Sequence, residues 1–204
     1  MIITWYGEGC FKIQTGGLAI LTDPFPASTG LTPPRFKADL TIYTRTPLPP
    51  GAPDEPGSRA IAGPGEYEAS GVRVNGWALE SRTDEIQSAY LVIAEDLTLA
   101  CLGGASRAPS PELAERFGGA DILFVPVGGA PHLDAAAAGR LVKQLAPKLV
   151  IPSFFRVPGL RRKADDVTRF LTELGQRAES QDKLSIKHKD LPQSIRAVVL
   201  SLEH

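Results

Sequence analysis

The chain has 204 residues, 43% of them apolar and 22% charged, with a formal net charge of −1. A chain of this size and mix buries roughly 70% of its unfolded surface, enough for one full core, so a single domain over residues 1–204 is the expectation. The even charge argues against a nucleic-acid partner, which needs clustered Lys and Arg, and no stretch approaches the roughly 20 apolar residues of a membrane-spanning helix. Two cysteines argue against a disulfide scaffold and point to a reducing, cytoplasmic setting.

Residues 2–7 read as a strand, because the positive start and small-residue cleavage site of a signal peptide are missing. Segments 10–14 and 18–22 flank Thr15-Gly16-Gly17, a tight hairpin signal. Short strands are expected at 40–44, at 59–62, and at 72–79 with a turn at Asn75-Gly76. Strands 90–94 and 97–102 flank Glu95-Asp96. Between Pro24 and Pro64 lie ten of the chain's 18 prolines. Proline lacks a donor and fixes one torsion, so this segment reads as ordered loop over a sheet edge, a disordered insert being the alternative.

After residue 105 the apolar period changes from two to about 3.6. Ser110-Pro111 caps a helix over 112–117, and 121–126 is a buried strand. Asp134 caps a helix over 135–145 with Leu141, Val142 and Leu145 on one face, and 149–152 is another apolar strand. Val167, Phe170, Leu171 and Leu174 mark a third helix closed by Gly175, and 195–202 is the last strand. The basic run Arg161-Arg162-Lys163 reads as solvated loop. The final Leu202-Glu203-His204 can begin a purification tag, so His204 is given no role.

Several strings resemble one family. Trp5-Tyr6-Gly7-Glu8-Gly9-Cys10-Phe11 is similar to the opening Trp-x-Gly-His-Ser-Cys-Phe of metallo-β-lactamase-fold hydrolases of the L-ascorbate-6-phosphate lactonase-like branch. Asp23-Pro24-Phe25 resembles that branch's Asp-Pro-Phe signature, and Gly63-Pro64-Gly65-Glu66-Tyr67-Glu68, Pro126-Val127-Gly128-Gly129 and Val150-Ile151-Pro152 follow in the same order. The resemblance implies an α/β fold, a four-layer αββα sandwich. It also implies one or two metal ions held by a His-x-His-x-Asp-His motif and three later ligands, where the metal activates water.

The ligand positions depart from that pattern. After residues 39–44 stand Arg45-Thr46-Pro47-Leu48-Pro49-Pro50, where the four-ligand motif is expected, and its prolines read as stiffening the loop. Cys101-Leu102-Gly103-Gly104 replaces the family's His-Leu-Gly-Asp, Phe154 the final histidine, and Glu8 the opening one. Fewer than three plausible ligands cannot make a tight zinc site. The expectation is a kept fold with degenerate motifs, no metal and no cofactor: a pseudoenzyme.

Former-pocket candidates are therefore Glu8, Asp23, Arg45, Glu66, Cys101 and Phe154. Arg45 is expected to supply the positive charge of the missing ion by pairing with Glu8 or Glu66, the alternative being two solvated side chains. Phe154 would help fill the space. Gly128, Gly129 and His132 precede a helix and are anion-binding candidates, a plain turn being the alternative. Cys10, Cys101 and His132 as a substitute metal site, and Cys101 as a nucleophile, are weaker readings than buried apolar thiols. Glu66 and Glu68 read as a solvated edge strand, and Trp5 and Trp77 as packing residues.

Two functions stay open. One is a catalytically silent binding or assembly protein that takes a small anionic ligand or a protein partner, with a homo-oligomer possible. The other is a hydrolase of a phosphorylated or lactone-like metabolite with a non-standard site. Simultaneous loss of all the usual ligands favours the first.

Overall fold

The computed structural model of the protein describes residues 1–46, 59–80, 85–177 and 180–203. In chain order the first strands are β1 (Ile2–Gly7), β2 (Cys10–Thr15), β3 (Leu18–Thr22), β4 (Leu40–Tyr43), β5 (Arg45–Thr46), β6 (Arg59–Ala62), β7 (Gly65–Ala69), β8 (Val72–Leu79), β9 (Ile86–Ala94) and β10 (Leu97–Cys101). Then follow α1 (Pro111–Phe117), β11 (Ile122–Pro126), α2 (Ala135–Leu145), β12 (Leu149–Ser153) and α3 (Val167–Glu173). The chain closes with β13 (Ser180–Gln181), β14 (Lys183–Ser185), β15 (Arg196–Ala197) and β16 (Val199–Leu200).

Two mixed sheets carry the architecture. The first has the order β14-β1-β2-β3-β4-β6, with β3, β4 and β6 parallel; the second runs β15-β12-β11-β10-β9-β8-β7, with β10, β11, β12 and β15 parallel. Alternation in β1 sends Ile3 and Trp5 inward and leaves Thr4 and Tyr6 on the other face. The inward faces meet: the Phe11 ring lies 4.6 Å from Phe124, and Trp5 lies 4.6 Å from Phe155. One continuous apolar cluster runs from Ile3 to Leu200 across this interface.

Helices cover the outer face of the second sheet, with Phe117 of α1 edge-on to Trp77 of β8 at 5.4 Å. The expected caps form: Ser110 Oγ accepts from Leu113 N–H, and Asp134 Oδ1 from Ala137 N–H. The outer face of the first sheet is covered differently. Phe25 and Phe36, from the proline-rich stretch after β3, pack over Cys10, Leu21 and Ala38. Prolines 24, 26, 33 and 34 keep that stretch out of regular ladders, so among the described residues this layer is loop with one short 3-10 turn at Ala27–Thr29. The α/β sandwich of two sheets with flanking helices agrees with the sequence expectation. Pro47, Pro49, Pro50 and His204 lie outside the described residues.

Two expectations are corrected. Asn75-Gly76 is no turn: β8 runs straight through it, with Gly76 opposite Tyr90. A Cβ on Gly76 would stand 2.5 Å from Tyr90 Cε1, so the glycine clears a ring whose hydroxyl shares its one proton between Tyr43 O and Gly63 O, both at 3.0 Å. The turn falls instead at Ser70-Gly71, both at positive φ. The last strand is also divided, β15 pairing with β12 and β16 with β13. Residues 197–200 are all buried, so no alternation marks which neighbour each should take.

Candidate functional site

The carboxyl ends of β3, β4, β10, β11 and β12 open at one edge of the two sheets. Side chains just beyond strand ends can converge there without interrupting a ladder, which is why ligand clefts of α/β sheets form at such edges. Here they line a cleft of about 790 Å³, within the usual size of small-molecule sites. Asp23 and Phe25 follow the end of β3, Thr44 the end of β4, and Gly104 the end of β10; Arg45 opens β5, and Glu8 enters from the β1–β2 turn. His132 follows β11 and Phe154 follows β12. Glu8, Asp23 and Phe154 all hold left-handed backbone, at φ of +49°, +36° and +59°. Such conformations are costly for residues other than glycine and persist where surrounding contacts enforce them.

Asp23 takes a hydrogen bond from Thr44 N–H at 2.7 Å and one from the Thr44 hydroxyl at 2.5 Å, one on each carboxylate oxygen. Burial raises its pKa to about 6, against the lowering effect of those bonds and of Arg45. His132 Nδ1 lies 2.9 Å from Gly104 O, so Nδ1 carries the proton, since a carbonyl can only accept. Nε2 is then a lone pair with no hydrogen-bond partner among the described residues. Burial, with help from Arg162 and Arg45, lowers the His132 pKa to about 4, so the ring is neutral at pH 7. Its face packs on Phe154 at 4.2 Å between ring centroids. Gln87 steadies the same wall, donating to Gly104 O and accepting from the Ser106 amide and hydroxyl.

Glu8 does receive a guanidinium, but from Arg162, not Arg45. Arg162 Nε lies 2.9 and 3.0 Å from the two Glu8 oxygens, with side chains 24% and 11% exposed. Arg162 also donates through Nη2 to Phe154 O and lies over the Phe154 ring at 5.7 Å. The reading of 161–163 as solvated loop therefore fails at its middle residue. A run of basic residues carries no periodicity that says which side chain turns inward. Arg45 pairs instead with Glu85 at 3.3 Å, both about half in solvent.

Of the other candidates, Glu66 is exposed on β7, the edge strand of the second sheet, and does not line the cleft. Cys101 lies beneath the cleft floor near Asp23 and Ser153, its thiol pushed up by burial first and then by Asp23. Cys10 is buried on the outer side of the first sheet, and both cysteines are free. Gly128 and Gly129 stand outside the lining. The Gly129 amide donates to Leu133 O, and a Cβ on Gly128 would fall 1.8 Å from Phe154 O, so these glycines let two backbones approach. The start of α2 is already capped by Asp134. Among the described residues, no group of three or more His, Cys, Asp or Glu side chains is placed to hold a metal ion. Thr44, Gln87, Tyr43 and Arg162 were not singled out from the sequence. For Thr44 the only local signal is its place directly after a strand end.

The chain belongs to a known family, described as the beta-lactamase superfamily domain, whose model matches residues 2–153. It is 29% identical over 185 residues to a UPF0173 protein of Pyrococcus abyssi, covering 78% of this chain and 85% of the relative. A UPF0173 protein of Pyrococcus furiosus is 27% identical, with 76% and 83% covered. A crystal structure from Thermotoga maritima, described as a candidate Zn-dependent hydrolase of the metallo-beta-lactamase superfamily, superposes with a TM-score of 0.79 at 25% identity, covering 98% of this chain and 97% of that one. An isothiocyanate hydrolase from Delia radicum gut bacteria shares the fold at a TM-score of 0.68 and 13% identity, with 92% and 100% covered. No helix among the described residues is long and apolar enough to cross a membrane.

Proposed function

We propose that this superfamily member has lost its metal ligands and uses the cleft, without a metal, to bind a small anionic ligand. The observation that carries the reading is that, among the described residues, the carboxylates lining the cleft already have partners: Glu8 gives both oxygens to Arg162, Asp23 both to Thr44, and Glu85 pairs with Arg45. A catalytic zinc needs three convergent protein donors and an open position. Among the described residues lining the cleft, His132 Nε2 is free to ligate, while Cys101 lies below the floor. The described residues do not fit a divalent ion.

What they do fit is a compact molecule with an apolar body and an acidic group. Phe25, Leu102 and Phe154 provide apolar wall. The Tyr43 hydroxyl, near Asp23, is buried and has no hydrogen-bond partner among the described residues. Arg45 can exchange an exposed carboxylate for a ligand anion at little cost, because such pairs are worth only about 0–1 kcal/mol. Within the superfamily we group the chain with the L-ascorbate-6-phosphate lactonase-like branch, on the strings around Trp5, Asp23 and Gly63.

The test is metal analysis of protein purified without a metal-affinity resin, followed by thermal-shift titration with phenyl phosphate, benzoate and neutral benzamide. The expected result is metal far below one equivalent and a rise in midpoint with the anions but not the amide. One equivalent of zinc, manganese or iron held by the protein overturns the reading.

A further inference from the structure

Arg162 reaches the cleft on a loop that is tied at both ends. Arg156 N–H donates to Asp165 O, Asp165 N–H to Gly128 O, and Arg161 N–H to Thr29 O, at 2.9, 2.8 and 2.9 Å. The Arg161 guanidinium adds a bond to Ser28 O at 3.3 Å. This closed loop joins the end of β12 to the loop after β3 and points one guanidinium at the β1–β2 turn, 154 positions away in sequence. Both residues it holds there are strained: Glu8 and Phe154 are in the left-handed region, and the Phe154 amide donates to Glu8 O at 3.4 Å. Trp5 Nε1–H donates to the same Glu8 carbonyl at 2.9 Å.

We propose that Arg162 is a positioning residue whose guanidinium, held inside this cleft, fastens the strand-end turns at Glu8 and Phe154. The chemistry suits the task. A planar guanidinium offers several fixed donors, so one group can bind a carboxylate and a carbonyl while its face rests on an aromatic ring. Charge-assisted bonds at a partly buried site are strong enough to hold backbone that would otherwise relax. The cleft is thus shaped by a side chain of the chain itself. The inference accompanies the metal-free reading but does not share its test, since bound zinc would overturn that reading whatever Arg162 does.

The experiment is chemical rescue. Arg162→Ala is expected to lower the thermal midpoint by roughly 5–10 °C. Millimolar guanidinium chloride, set against the same concentration of sodium chloride, is expected to restore part of that loss in Arg162→Ala. It should restore none in Arg162→Ala/Glu8→Ala, which lacks the anchoring carboxylate, and none in the wild type. A midpoint unchanged by Arg162→Ala, the absence of a guanidinium-specific gain, or an equal gain in the double variant overturns the proposal. Arg162→Lys keeps the charge but loses the fork, and it provides the second readout if the alanine variant does not fold. Amide hydrogen exchange should then quicken at residues 8–9 and 154 while α2 is unchanged. Exchange that is unaltered there, or raised equally throughout, counts against it.

Discussion

Asp23 and Thr44 close two neighbouring parallel strands, and one carboxylate receives both polar donors of the threonine. The pair sets the floor of the cleft and keeps a carboxylate ionisable where burial works against its charge. Neither residue belongs to a pattern of period two or 3.6, because each acts from the first position beyond its strand.

Thr44→Val preserves shape and removes the hydroxyl. The expected cost is about 1.5–3 kcal/mol, because a hydrogen bond to a charged acceptor is lost. The Asp23 pKa should move further up, since the deleted bond favoured the charged form. Denaturant unfolding measures the first effect and carboxyl-carbon NMR titration the second.

Asp23 and His132 should pull stability in opposite directions with pH. With Asp23 near 6 in the fold and 3.8 as its ordinary value, the folded chain keeps a proton that the unfolded chain releases between those points. Its contribution is therefore lost as pH rises from 4 to 6. His132, near 4 in the fold against 6.5, does the reverse: the unfolded chain binds the extra proton, and stability grows as pH rises through that window. Each effect is on the order of 3 kcal/mol, so the two largely cancel in the wild type. Relative to wild type, Asp23→Asn should gain stability from pH 4 to 6 and His132→Asn should lose it. Denaturant midpoints at half-unit pH steps decide this, and parallel curves for all three proteins would exclude it.

Gly76→Ala puts a methyl 2.5 Å from a Tyr90 ring whose hydroxyl is held between Tyr43 O and Gly63 O. Overpacking of this kind costs about 1–3 kcal/mol, which lowers the thermal midpoint by roughly 3–10 °C. Scanning calorimetry gives the value.

Arg45→Met tests the mouth of the cleft. Because Arg45 and Glu85 are exposed, at 51% and 38%, stability should change by less than about 1 kcal/mol. Binding of phenyl phosphate, followed by titration calorimetry, should weaken by roughly tenfold or more if the arginine meets the anion, as loss of a charge-assisted bond implies. Unaltered affinity would place the anion elsewhere.

The sequence by itself determined most of the element order, and its family strings the fold class. Hairpin glycines, the prolines after β3, the capping Ser110 and Asp134, and the change of period after residue 105 are local signals, and local backbone chemistry reads them directly. It also marked Glu8, Asp23, Arg45, His132 and Phe154, which do share one cleft. Only the tertiary structure decided the partners. Arg162 and Glu8 are brought together across 154 positions of chain, Arg45 turns to Glu85, and Tyr90 claims the space at Gly76. Charge pairing and ring packing depend on where strand ends meet in space, and no one-dimensional period encodes that meeting.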